Sequence, residues 1–112
     1  MKAIQLTATG NPLETLQYVD LPDPVAPQNG EVIIRMEYSP INYSDLMMAK
    51  GIYFIQPELP SVIGGEGVGV IEQVGPDVNH LKEGDRVMLP FGTYAWSELV
   101  KASSENLVAL TP

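Results

Sequence analysis

Ten glycines and ten prolines interrupt this 112-residue chain at short intervals, which leaves few windows where a long helix could run. In a helix interior glycine costs about 1 kcal/mol relative to alanine and proline about 3, whereas both residues suit tight turns. Short apolar segments lie between these breaks. Glu31 to Tyr38 alternates, with Val32, Ile34, Met36 and Tyr38 on one face and Glu31, Arg35 and Glu37 on the other, the period of two that marks a half-buried strand. Asn29-Gly30 just before it reads as a turn. Met1 to Thr7, Val68 to Val74, Arg86 to Leu89, Tyr94 to Val100 and Leu107 to Leu110 read as further strands. Pro22 to Pro27 reads as an extended loop separating two strands, because proline has no amide to give to a ladder. One segment predicts a helix of about two turns, Tyr43 to Lys50, with Asn42 as N-cap, Asp45 in the first turn and Gly51 just past the end. A mainly β, barrel-like domain with one short helix is the expected fold.

A chain of this length buries roughly two thirds of its unfolded surface, enough for one core without staples. It contains no cysteine, which removes disulfides and thiolate metal sites and fits a reducing, cytoplasmic compartment. No apolar stretch is long enough to span a bilayer. Fourteen acids against six bases, a net charge of −8, oppose a phosphate-rich partner, since nucleic-acid affinity rests on Lys and Arg displacing counterions. A small molecule is the expected partner.

The densest motif is Gly64-Gly65-Glu66-Gly67-Val68-Gly69, with Asn42-Tyr43-Ser44-Asp45 upstream and Gly75, Gly84, Asp85 and Val87 downstream. It differs from a dinucleotide fingerprint, because Val70 stands where a pattern starting at Gly65 needs its third glycine and the next segment reads as strand rather than helix. Backbone freedom and close approach are the simpler use of these glycines. The order of polar turn, Gly-Glu-Gly turn, strand and Gly-Asp turn resembles the catalytic domain of the medium-chain dehydrogenase/reductases, a GroES-like β-barrel, over nearly the whole chain.

That resemblance comes with two departures. Zinc-dependent alcohol dehydrogenases carry a Cys where this chain has Asn42, and a His where it has Gly65. Zinc is held by thiolate or imidazole at about 2.0 to 2.3 Å, and glycine has no donor. The similarity therefore points to the zinc-free branch, the quinone oxidoreductases and 2-enoyl thioester reductases. In that family a nucleotide-binding domain follows the barrel, and this sequence ends at Thr111-Pro112, where the family crosses toward it. A Rossmann domain of roughly 150 residues does not fit inside this chain. The resemblance thus implies that residues 1–112 form an incomplete GroES-like catalytic domain, with NADPH bound mainly by a domain outside it.

Tyr53 is the expected catalytic group. A phenol with pKa about 10 stays protonated near neutrality and can donate to a developing enolate, and the enoyl thioester reductases assign that role to a Tyr after the same helix and glycine. The alternative is a ring packed at the barrel rim. Asn42 is expected either to cap the helix or, as in the zinc-free relatives, to line the cofactor pocket, and both roles are compatible. Tyr43 and Tyr94 are expected as pocket walls. Glu66 and Asp45 are expected to support the site from behind, Asp45 as a first-turn helix residue. Ser44 matches a proton-relay position of the zinc enzymes, a role without context here. Gly92-Thr93-Tyr94 resembles a Gly-Thr-aromatic step of the enoyl reductases. His80, the sole histidine, reads as an exposed turn residue.

The implied activity is the substrate-side half of an NADPH-dependent reductase of enoyl thioesters, enones or quinones, inactive without its nucleotide domain. The alternative is a free-standing GroES-like module that binds a partner or forms homo-oligomers through the apolar surface left by missing segments.

Overall fold

The computed structural model describes residues 1–110. Two antiparallel sheets form the domain. In the smaller sheet, β1 (Lys2–Leu6) is flanked by β2 (Leu16–Asp20) and by β4 (Ser61–Val62). The larger runs β7 (Leu99–Ser103), β3 (Glu31–Tyr38), β5 (Val68–Val74), β6 (Arg86–Met88) and β8 (Val108–Ala109). A one-turn helix, α1 (Pro12–Thr15), precedes β2, and α2 (Tyr43–Lys50) follows β3. The expected mainly β, GroES-like architecture is the observed one.

β3 is the axis of the larger sheet, paired with β5 on one side and β7 on the other. Its strict alternation does not survive. The register against β5 shifts between Ile33 and Ile34 and again between Met36 and Tyr38, so Val32, Ile33 and Ile34 are buried in succession while Tyr38, expected on the core face, is 76% exposed. A bulge places an extra residue in one strand and rotates the side chains beyond it. Val32, Ile34, Ile71, Val87 and Val100 fill the core of this sheet.

The segment Tyr94 to Val100 is not one strand. β7 begins only at Leu99. Before it, the backbone serves both sheets: Trp96 C=O accepts from Ile4 N–H of β1 at 2.8 Å, and Glu98 donates its N–H to Lys2 C=O of β1 at 3.0 Å while its own C=O accepts from Met36 N–H of β3 at 2.9 Å. Tyr94, at φ 59, is the non-glycine residue in left-handed backbone, and this bend turns the chain from one sheet toward the other. Missing from the sequence expectation were α1, β2 and β4. α1 is capped by the Asn11 side chain, which accepts the Leu13 N–H at 3.1 Å. β2 carries Gln17, Tyr18 and Asp20 outward and shows too little apolar alternation to stand out.

α2 follows its expected bounds. Gly51 ends it at φ 80 and donates to Met48 C=O at 3.1 Å, the left-handed closure that glycine adopts without a Cβ penalty. Met48 and Ala49 then pack with Leu6 and Ile63 into a second core cluster between helix and sheets.

Candidate active site

The start of α2 meets the Gly-rich turn through one carboxylate. Asp45, 3% exposed, accepts the Asn42 N–H on Oδ2 and the Gly65 N–H on Oδ1, each at 2.9 Å. A buried carboxylate needs such donors. Asp45 therefore joins two segments that are 20 residues apart in sequence. Asn42 is the N-cap, in extended backbone at φ −93 and ψ 158. Its side chain leans toward the Asp45 amide in the outline of a capping box but makes no cap hydrogen bond of ordinary geometry, so the Asp45 half of the box carries the cap.

Gly64, at φ 113, brings the turn against Trp96, whose nearest ring atom would lie 2.4 Å from a Cβ placed there. Beside it, a Cβ on Gly65 would meet Asp45 Oδ1 at 3.3 Å and the Phe91 ring at 3.4 Å. Asp45, Gly65 and Phe91 thus converge on one corner. Tyr53 joins them: its ring centroid lies 6.4 Å from that of Phe91, edge to face, and 4.7 Å from that of Phe54. Tyr53 and Tyr94 both pack on the Leu6, Met48 and Ile63 cluster. Among the described residues the Tyr53 hydroxyl has no hydrogen-bond partner, and its ring is held by aromatic and apolar contacts alone.

Tyr43, the first helical residue, is 71% exposed. The Glu66 side chain is also exposed, and its backbone C=O accepts the Ser39 hydroxyl at 2.6 Å. His80 is exposed in its turn and places Nε2 3.2 Å from the Ser104 carbonyl oxygen. Among the described residues no group of three or more His, Cys, Asp or Glu side chains gathers.

Phe91 is the site residue that sequence reasoning missed. A lone Phe between Pro90 and Gly92 carries no periodicity, and only the packing of its turn on Gly65 reveals its place. An apolar groove of about 590 Å³ was also illegible. It is lined by Trp96 together with Ile4, Tyr18, Met36, Tyr38, Ile41 and Leu46 among others. None of Asn42, Tyr43, Tyr53 or Tyr94 lines it.

Two antiparallel sheets stitched at the Tyr94 bend, with a capped short helix pinned to a glycine turn, define a GroES-like β domain. The chain belongs to the alcohol dehydrogenase GroES-like domain family, whose model matches residues 28–111. It is 41% identical over 110 residues to a quinone oxidoreductase of Pseudomonas aeruginosa, covering 97% of this chain and 33% of that protein. A mitochondrial enoyl-[acyl-carrier-protein] reductase of Xenopus tropicalis is 36% identical over 100 residues, or 88% of this chain and 28% of that one. The crystal structure of Escherichia coli quinone oxidoreductase complexed with NADPH superposes with a TM-score of 0.88 at 29% identity, over 99% of this chain and 33% of that one. These relatives place the chain in the medium-chain dehydrogenase/reductase superfamily. The chain spans between 18 and 33% of the length of such curated relatives.

Proposed function

We propose that this chain is the substrate-side domain of an NADPH-dependent, zinc-independent reductase of activated double bonds. The observation that carries the reading is the Tyr53 phenol, half-buried beside the Gly65 turn, its ring gripped by Phe54 and Phe91 and its hydroxyl uncommitted among the described residues. A phenol held this way can donate to a ligand. Asn42 and Gly65 supply no zinc-binding pair, since glycine lacks a donor and an amide is a poor substitute for thiolate. The substrate then has to provide its own electron sink, as a conjugated thioester, enone or quinone does.

NADPH, when bound, supplies the hydride, and most of its contacts lie outside these residues. Tyr53 holds a proton at the position where charge develops on the substrate oxygen and gives it up as the enolate forms. The Asn42 amide orients the bound groups, and Tyr43 and Tyr94 wall the space around them. Asp45 keeps Asn42 and Gly65 in place and stays out of proton transfer, both its oxygens being occupied by backbone N–H groups. A cytoplasmic location belongs to the same reading. The described residues contain no helix long and apolar enough to cross a membrane.

The test is Tyr53→Phe in an enzyme carrying both this domain and a nucleotide domain. Turnover should fall roughly 10² to 10⁴-fold with the fold intact, the range expected for a lost general acid. Unchanged turnover removes Tyr53 from the mechanism. The 112-residue chain alone should not oxidise NADPH.

The apolar groove beside Trp96 supports a second reading, a module that assembles with itself. Sedimentation equilibrium decides it: a strict monomer at high concentration removes that reading.

A further inference from the structure

Asn29-Gly30 is the one Asn-Gly step in the chain, and it forms the turn that starts the central strand. Glu31 N–H donates to Gln28 C=O at 3.1 Å to close the turn, with Gly30 at φ 77 in its left-handed position. Three strand ends meet here. Glu31, the first residue of β3, lies opposite Ser103 at the end of β7, and Val32 lies opposite Val74 at the end of β5. From the β7 side, Ser104 N–H donates to Gly30 C=O at 2.8 Å, and from the β5 side Gly75 N–H donates to Glu31 C=O at 2.7 Å.

The main-chain nitrogen after an asparagine can attack the side-chain Cγ and close a succinimide ring. Glycine obstructs this attack least, having no side chain, and at Gly30 even a Cβ would find no atom within 4 Å. Asn29 is itself exposed, so water reaches the ring once it forms. One carboxylate stands against the reaction. Gly30 N–H donates to Asp77 Oδ1 at 2.6 Å. The attacking nitrogen has to give up that same proton, and a hydrogen-bonded carboxylate favours the N–H over its anion. The bond also ties the nitrogen to the loop after β5, so that turning it toward Cγ costs a charge-assisted hydrogen bond.

We propose that Asn29 is a site of spontaneous deamidation and that Asp77 restrains it. In the first step the bond from Gly30 N to Asn29 Cγ forms, the Cγ–Nδ2 bond breaks, and ammonia leaves with the proton of the Gly30 amide. Water then opens the succinimide. Cleavage at Cγ gives aspartate, and cleavage at the main-chain carbonyl gives isoaspartate, whose backbone runs through the β-carbon. Isoaspartate adds a methylene between Gln28 and Gly30, so Gly30 can no longer meet both Asp77 and Ser104 while Glu31 closes on Gln28. Either product also puts a negative charge beside Asp77 and Glu31, whose carboxylates already hold the Gly30 and Gln28 N–H groups. The modification therefore loosens the junction of β3, β5 and β7.

The test incubates the folded protein at neutral and mildly alkaline pH and follows every asparagine by peptide mass spectrometry, with isoaspartate labelled by its carboxyl methyltransferase. Modification should accumulate at Asn29 ahead of Asn11, Asn42, Asn79 and Asn106, and faster at the higher pH. Asp77→Ala should raise the rate at Asn29 about tenfold, the scale of one hydrogen bond to a charged group. Asp77→Asn, which keeps an oxygen acceptor without the charge, should fall between the two. An unmodified Asn29 in the parent, or a rate indifferent to Asp77→Ala, overturns the proposal. So does an equal rise at Asn79 and Asn106, which marks general loosening of the fold rather than release of the Gly30 amide. The purified isoaspartate form should unfold at lower urea than the parent, and an unchanged midpoint overturns the consequence drawn for the junction.

Discussion

The Asp45 carboxylate accepts the Gly65 amide at 2.9 Å and is almost wholly buried in doing so. Removing it leaves the N–H groups of Gly65 and Asn42 without their acceptor. Unsatisfied buried polar groups cost about 1 to 3 kcal/mol each, so with two donors orphaned Asp45→Ala should destabilise the domain by about 2 to 6 kcal/mol in urea unfolding. A loss below the error of the measurement would mean that water replaces the carboxylate and that the pin is dispensable.

Gly64 combines φ 113 with a ring atom of Trp96 at 2.4 Å from any Cβ. Gly64→Ala therefore meets both backbone strain and a rigid aromatic neighbour, each worth about 1 to 3 kcal/mol. Gly92→Ala is the matched control, since Gly92 also has positive φ, 91°, but no neighbour within 4 Å. Thermal unfolding should show a much lower midpoint for the first variant than for the second. Equal midpoints would show that Trp96 yields.

Tyr94 holds left-handed backbone at φ 59 while its ring packs beside Leu6 and Met48. Truncation to Ala loses the ring and keeps the strain, but truncation to Gly loses the ring and relieves about 1 kcal/mol of strain. The expected order of stability is Tyr, then Gly, then Ala, read from urea midpoints. Ala above Gly would place the strain elsewhere.

Glu37 and Arg86 pair at 2.8 Å across β5. Chiefly through that hydrogen bond, Arg86 holds the Glu37 carboxyl below its ordinary value of 4.5. A depressed carboxylate contributes stability above its unfolded value and loses it as pH falls through the folded one. Glu37→Gln should therefore lower the urea midpoint slightly at pH 7, with the gap to the parent closing in acid below the ordinary carboxylate range. High salt should shrink the same gap, because the pair is exposed to solvent. A gap independent of pH would assign the effect to packing.

Much of the secondary structure was legible because local chemistry specifies it. Asn42 and Gly51 bracket α2 where the capping rules place its ends, and β5 occupies the stretch its apolar run predicts. β2 escaped notice because its residues are half-exposed and polar. The face of Tyr38 was misread because a bulge is a property of two paired strands. In the site, Tyr53 and Asn42 stand out through their place after and before the helix, whereas Phe91 has no local signature.

By itself the sequence determined the β-rich class, the short capped helix and the glycine turn, since each comes from the conformational limits of neighbouring residues. Only the tertiary structure decided that Asp45 binds Gly65, that the 94–98 segment joins two sheets, and that Phe91 packs against both Gly65 and the Tyr53 ring. Those relationships join residues far apart in the chain. They arise from strand register and side-chain packing, which are settled collectively when the core closes.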